Sequence, residues 1–231
     1  MKRRIRTLLL IIVFPIVTVV AMNLVNAKED IQPVKVNTSS KEEVVVQNKG
    51  NHLGDINVII DPGHGGNDGG AVGEYGTLEK DATLETAKRI KATLEQAGIN
   101  VKLRRNGDDF VDRKERVAMA QGEQVDLFIS IHYDGFEQEE VKGITSYYYH
   151  ERDRKIAQLV HNYLFKESIE TRNRGVSEGD YFVLRENSVP AILLELGYIT
   201  NKEDEVLIQS DNFQESISGA IRDAIIDYFQ G

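Results

Sequence analysis

From residue 55 onward the chain alternates two hydrophobic periods. Short apolar runs of strand length cover residues 56–60, 101–103, 125–131, 145–149, 181–184 and 191–194. Between and after them lie stretches with helical spacing of apolar residues, at 78–97, 112–121, 152–165, 201–208 and 213–229. The first of these carries Ala87, Ile90, Leu94 and Ala97 on one face, and Gly98 is placed to end it. Asn201 stands where the fourth needs an N-cap. Strands alternating with helices predict an α/β fold, a three-layer sandwich with a twisted, mainly parallel central sheet flanked by helices. In such sheets, sites form just past the carboxyl ends of strands.

Two other kinds of pattern precede this domain. Residues 7–27 form an uncharged stretch of 21, preceded by Lys2, Arg3, Arg4 and Arg6. Val25-Asn26-Ala27 offers light residues for a signal peptidase, yet about 20 apolar residues also suffice to span a bilayer. Residues 1–27 are therefore expected to be a signal peptide or a membrane anchor, with a tether through residues 5–27 in the second case. Both readings export the remainder of the chain. Residues 28–54 are polar and charged and read as a linker, with His52 as a solvated side chain within it. The 177 residues 55–231 suffice for one domain.

Charge and composition narrow the function. The whole chain has net charge −9; without its four N-terminal cations the remainder carries 24 basic against 37 acidic side chains. So acidic a body repels polyanions and argues against nucleic acid as a partner. The absence of cysteine excludes a disulfide scaffold, a thiolate zinc finger, an iron–sulfur cluster and a cysteine nucleophile.

The strand ends carry the candidate chemistry. The first strand runs into Asp61-Pro62-Gly63-His64-Gly65-Gly66, the run at 125–131 into His132-Tyr133-Asp134, and the run at 191–194 into Glu195-Leu196-Gly197. Two imidazoles and a carboxylate at three strand ends are what a metal or acid–base site looks like in this architecture. Seven of the 19 glycines fall within residues 61–76. Phosphate binding does not explain them, because no Gly-Lys-Ser/Thr follows and Asp68 occupies the third glycine position of a dinucleotide loop. Glycines around His64 instead let the backbone turn sharply and let something approach the imidazole closely. Glu79, in the first turn of a helix, should stay ionised. Glu195 adjoins a buried run, where a carboxylate is costly unless paired and its pKa rises toward the range of a general base. His150, beside a charged run, and His161, mid-helix beside Asn162 on a face expected to be wet, read as structural. Tyr147-Tyr148-Tyr149 reads as strand rather than as a sugar platform.

Taken together, Ile59-Ile60-Asp61-Pro62-Gly63-His64-Gly65-Gly66, Leu78-Glu79-Lys80, Ser130-Ile131-His132 and Pro190-Ala191-Ile192-Leu193-Leu194-Glu195-Leu196-Gly197-Tyr198-Ile199-Thr200-Asn201 resemble the zinc-dependent N-acetylmuramoyl-L-alanine amidases, bacterial cell-wall hydrolases. The resemblance spans residues 56–230 in order. It implies that His64, Glu79 and His132 bind one Zn2+ with a position left for water, a catalytic rather than a structural pattern. It implies Glu195 as the group that takes the water's proton and passes it to the leaving amine. The substrate implied is peptidoglycan, cut between N-acetylmuramic acid and L-alanine. Two departures from the family pattern touch substrate binding: Asp134 replaces the usual asparagine, and Ser177 follows Arg174-Gly175-Val176 where a basic residue is usual. Two rivals stay open, a catalytically silent protein binding wall glycopeptide and a zinc hydrolase of another peptidoglycan amide bond. The oligomeric state is not legible.

Overall fold

The computed structural model describes residues 52–122, 124–166 and 169–231. The expected signal or anchor at 1–27 and nearly all of the linker lie outside the described residues. The folded part reaches back to a short 3-10 turn at Leu53–Asp55, where Leu53 packs against the core.

Six strands form one sheet: β1 (Asn57–Pro62), β2 (Asn100–Leu103), β3 (Leu127–Asp134), β4 (Ile144–Tyr148), β5 (Asn173–Glu178) and β6 (Ala191–Tyr198). Their order is β2-β1-β3-β6-β4-β5, and all neighbours run parallel except β4 with β6. Six helices accompany them: α1 (Glu79–Gln96), α2 (Arg113–Gly122), α3 (Arg154–Leu164), α4 (Phe182–Arg185), α5 (Lys202–Ile208) and α6 (Asp211–Gln230).

Side chains alternate across the sheet, and the two faces hold separate cores. One face, with Val58, Ile60, Leu127, Ile129, Ile192 and Leu194, packs against apolar faces of α1, α3 and α6. The other, with Ile59, Phe128, Ala191 and Leu193, packs against Val117 and Ala120 of α2 and Val183 and Leu184 of α4. This is the expected three-layer sandwich. The α2–α4 core is small, so it covers only part of its face. Alternation puts Asp61, Ser130, His132 and Glu195 further along that same face, toward the carboxyl ends of the strands.

The caps follow local sequence. Gly98 adopts φ 87° just past α1. The Asn201 side chain accepts hydrogen bonds from the backbone N–H groups of Glu203 and Asp204, and Ser210 caps α6 through the N–H of Phe213.

Three sequence expectations are corrected. Residues 181–184 are not a strand: Phe182–Arg185 forms α4, which turns Val183 and Leu184 onto the sheet. A four-residue apolar run has too little period to distinguish the two. The strand at that edge is instead β5, whose sequence Asn-Arg-Gly-Val-Ser-Glu has no apolar run because it is a half-exposed edge. His161 is not on a wet face. It is 2% exposed, with Nδ1 3.0 Å from Ser146 Oγ and Nε2 2.9 Å from Asn173 Oδ1. It joins α3 to β4 and β5, and burial lowers its pKa.

Candidate metal centre and its cleft

The loop after β1 is bent by backbone that most residues avoid. His64 has φ 57°, followed by Gly65 at 128° and Gly66 at 60°. Three cations hold it there. Arg116, on α2, donates to Asp61 Oδ1 (2.7 Å), to the carbonyls of Pro62 (2.8 Å) and His64 (2.6 Å), and to that of Val111 (3.2 Å). Arg105 donates to the carbonyls of Pro62, Gly63, Gly107 and Lys80. Lys80 donates to the carbonyl of Gly66 and pairs with Asp108. Asp61 also accepts from Ser130 on β3, at 3.0 Å. The glycines are spent mainly on protein contacts: a Cβ on Gly63 would lie 2.6 Å from His132 Nδ1.

With the loop so held, three predicted residues converge. Glu79 Oε1 lies 3.0 Å from His64 Nε2 and 3.0 Å from His132 Nδ1, and it accepts the backbone N–H of Tyr133 at 3.2 Å. The second oxygen of Glu79 accepts the N–H of Ala71 at 2.9 Å. One ligand-type atom from each of His64, Glu79 and His132 lies within 4.8 Å of the others. Asp68 Oδ1 sits 2.9 Å from His64 Nδ1, so the outer nitrogen is occupied and Nε2 faces the cluster. Two imidazole nitrogens and one carboxylate oxygen, with the outer edge of one imidazole held by a second carboxylate, form a donor set that suits zinc.

The charges are mutually adjusted. Burial opposes ionisation of Glu79, but the hydrogen bonds and charges of His132 and His64 overcome it and hold this carboxyl well below its usual range. Burial likewise opposes charge on His64, and Glu79 and Asp68 together raise its pKa above the ordinary 6.5.

Glu195 lies across from this cluster. Both β3 and β6 continue past the ends read from sequence, so His132 and Glu195 face each other in register within the sheet. Glu195 is 7% exposed, and its Oε2 is buried with no hydrogen-bond partner among the described residues. Burial, and then the carboxylates of Asp134 and Glu79, raise its pKa well above the usual value. His64, His132 and Glu195 line one cavity of about 540 Å³, walled also by Phe110, Arg113, Tyr181 and Phe182. The ring of Tyr181 meets that of Tyr147 edge to face at 5.0 Å. The outlying histidines stay apart: His52 is exposed, and His150 bonds the carbonyl of Arg185.

Sequence reasoning did not single out Asp68, Arg105 or Arg116. Arg105 lies two positions past the strand at 101–103 and was within reach of the strand-end rule. Arg116, inside a helix, carried no such signal.

Fold and cluster together define an α/β protein with a candidate His–Glu–His metal centre at the open end of its sheet. The model of the N-acetylmuramoyl-L-alanine amidase family matches residues 58–227, and the chain belongs to that family. It is 40% identical over 174 residues to a Staphylococcus aureus protein named probable cell wall amidase LytH, which covers 74% of this chain and 58% of that relative. The chain thus spans somewhat more than half the length of the curated relatives it matches. Among solved structures it is similar to the N-acetylmuramoyl-L-alanine amidase AmiC2 of Nostoc punctiforme, with TM-score 0.73 and 38% identity, covering 77% of this chain and 98% of that one. The catalytic domain of CwlV, an amidase from Bacillus (Paenibacillus) polymyxa var. colistinus, gives TM-score 0.72 at 32% identity, covering 75% and 97%.

Proposed function

We propose that the domain hydrolyses the amide bond between N-acetylmuramic acid and L-alanine in peptidoglycan. The observation that carries this reading is the meeting of His64, His132 and Glu79 at one point, with a buried Glu195, its Oε2 without a partner among the described residues, on the same cavity. His64, Glu79 and His132 would hold one zinc ion, and the chemistry it would supply is that of a Lewis acid toward the scissile carbonyl and water. Asp68 keeps Nε2 of His64 turned inward, and the N–H of Ala71 keeps Oε1 of Glu79 presented to both imidazoles. Glu195 accepts the proton of the attacking water and returns it to the nitrogen of the departing alanine. Its raised pKa suits both halves of that transfer.

Likeness to a relative named cell wall amidase supports work in the cell wall, and export by residues 1–27 would suit it. Whether that segment is cleaved or retained as an anchor falls outside the described residues. Among those residues, no helix is long and apolar enough to cross a membrane. Residues 28–54 would serve as the linker, ending where Leu53 joins the core.

The purified protein, incubated with peptidoglycan with and without a chelator, should release stem peptides with a free N-terminal L-alanine and leave the glycan intact, as read by mass spectrometry. The chelated sample should be inactive and recover with zinc. Zinc uptake without new ends would favour the silent binding protein, and other new termini would favour a different amide bond. Glu195→Gln should bind zinc normally and lose about 100-fold or more in turnover; an active variant refutes the assignment of Glu195.

A further inference from the structure

The cleft is lined by five carboxyl groups against two guanidiniums, Arg113 and Arg116. A peptidoglycan stem is itself anionic, because the residue after the L-alanine bears an α-carboxyl group that a wall either leaves free or converts to the carboxamide. A carboxylate brought among these groups is met best by a cation whose own donors are not already engaged. Arg116 is committed to Asp61 and to three backbone carbonyls beneath the loop. Arg113 is not. It is the first residue of α2 and exposed, and among the described residues its guanidinium makes no hydrogen bond and no ion pair. Its contact is with an aromatic face, its Cζ lying 5.7 Å from the ring centroid of Phe182. The other guanidinium near that ring, Arg185, is engaged by Asp180 and Glu186. Phe182 is steadied in turn because its neighbours Val183 and Leu184 are buried in the α2–α4 core. Arg113 therefore rests on a fixed platform at the cavity wall with its N–H donors unspent, the arrangement a planar carboxylate recognises in two-point fashion.

We propose that Arg113 is a specificity-determining residue that binds the free α-carboxylate of the second stem residue and so discriminates against amidated stems. The proposal rests on the amidase reading for the class of substrate, and on the cavity for the place where that substrate lies.

The test uses two synthetic muramoyl tripeptides that differ only in a free carboxylate or a carboxamide on the second stem residue. Calorimetric binding to the zinc-loaded Glu195→Gln protein reads recognition without turnover. The carboxylate peptide should bind about tenfold tighter or more, as a charge-assisted pair implies. Adding Arg113→Ala should make the two affinities equal, and Arg113→Lys should restore part of the preference, since it returns the charge without the fork. In the active protein, Arg113→Ala should raise KM for the carboxylate substrate by a similar factor, with kcat and the carboxamide kinetics changing far less. Equal affinities for the two peptides before substitution, or a preference that survives Arg113→Ala, would overturn the proposal. So would an equal loss on both substrates, which is what a merely structural role produces. If the expected binding preference appears but neither peptide is ever cleaved, recognition by Arg113 stands and the amidase reading fails.

Discussion

Arg116→Met is the substitution whose cost the structure specifies most fully. Arg116 is 6% exposed and its partner Asp61 is 0% exposed, with Nη1 2.7 Å from Oδ1. Methionine keeps much of the volume but removes the cation. Among the described residues Asp61 is then a buried charge with one side-chain hydrogen bond left, from Ser130; the carbonyl of His64 loses the Arg116 donor and that of Pro62 keeps Arg105 alone of its two side-chain donors. Removing one member of a buried pair costs about 3–5 kcal/mol, a large part of the ~5–15 kcal/mol that holds a typical domain folded. At a urea dependence of about 2 kcal/mol/M, the unfolding midpoint should fall by roughly 2 M with an unchanged slope. Asp61→Asn should cost less, about 1–3 kcal/mol, because the amide oxygen can still accept from Arg116. Zinc affinity gives a second readout, since His64 at φ 57° has its carbonyl held by Arg116 and should relax without it. Urea titrations and zinc titrations of the three proteins decide the matter. A midpoint shift under about 0.5 M for Arg116→Met, with metal affinity intact, would show that this ion pair does not secure the loop.

Two further substitutions probe neighbouring claims. Gly63→Ala puts a methyl group 2.6 Å from His132 Nδ1, so the ring must move; we expect a loss of about 1–3 kcal/mol in stability and weaker zinc uptake, and an unaffected metal titration would contradict the close packing. His161 tests a pH effect away from the metal cluster. Burial lowers its pKa below 6.5, so the folded state favours the neutral ring. Its contribution is complete above that value and is lost as pH falls through the lower folded-state pKa. Urea midpoints at about pH 7.5 and 5 should therefore drop more for the unaltered protein than for His161→Gln, and equal drops would exclude the buried imidazole as a cause.

The parts of the fold legible in the sequence are those whose burial imposes a local period. β1, β3 and β6 are buried on nearly every residue and read as continuous apolar runs, and α1 shows its stripe through Ala87, Ile90 and Leu94. An edge strand has no such signature, so β5 was passed over. That omission also misplaced His161, since Asn162 beside it is exposed while the imidazole points under a strand the sequence did not announce. The four apolar residues 181–184 suit either strand or helix, and packing on the sheet decided for α4.

The same division holds within the site. Sequence alone nominated His64, His132 and Glu195 because each follows an apolar run; Glu79 by itself reads equally as a glutamate stabilising its helix start, and the family resemblance marked it as a ligand. The sequence also carried the family signature and the acidic balance of the chain. Tertiary structure decided the register that sets His132 opposite Glu195, the crossing of α1 that brings Glu79 to both imidazoles, and the guanidiniums that hold the loop. The reason is one of range. Hydrophobic period and capping depend on residues a few positions apart, whereas the fate of a charge such as Arg116 or Arg113 depends on groups roughly 50 to 70 positions away in the chain, which only the folded sheet brings near.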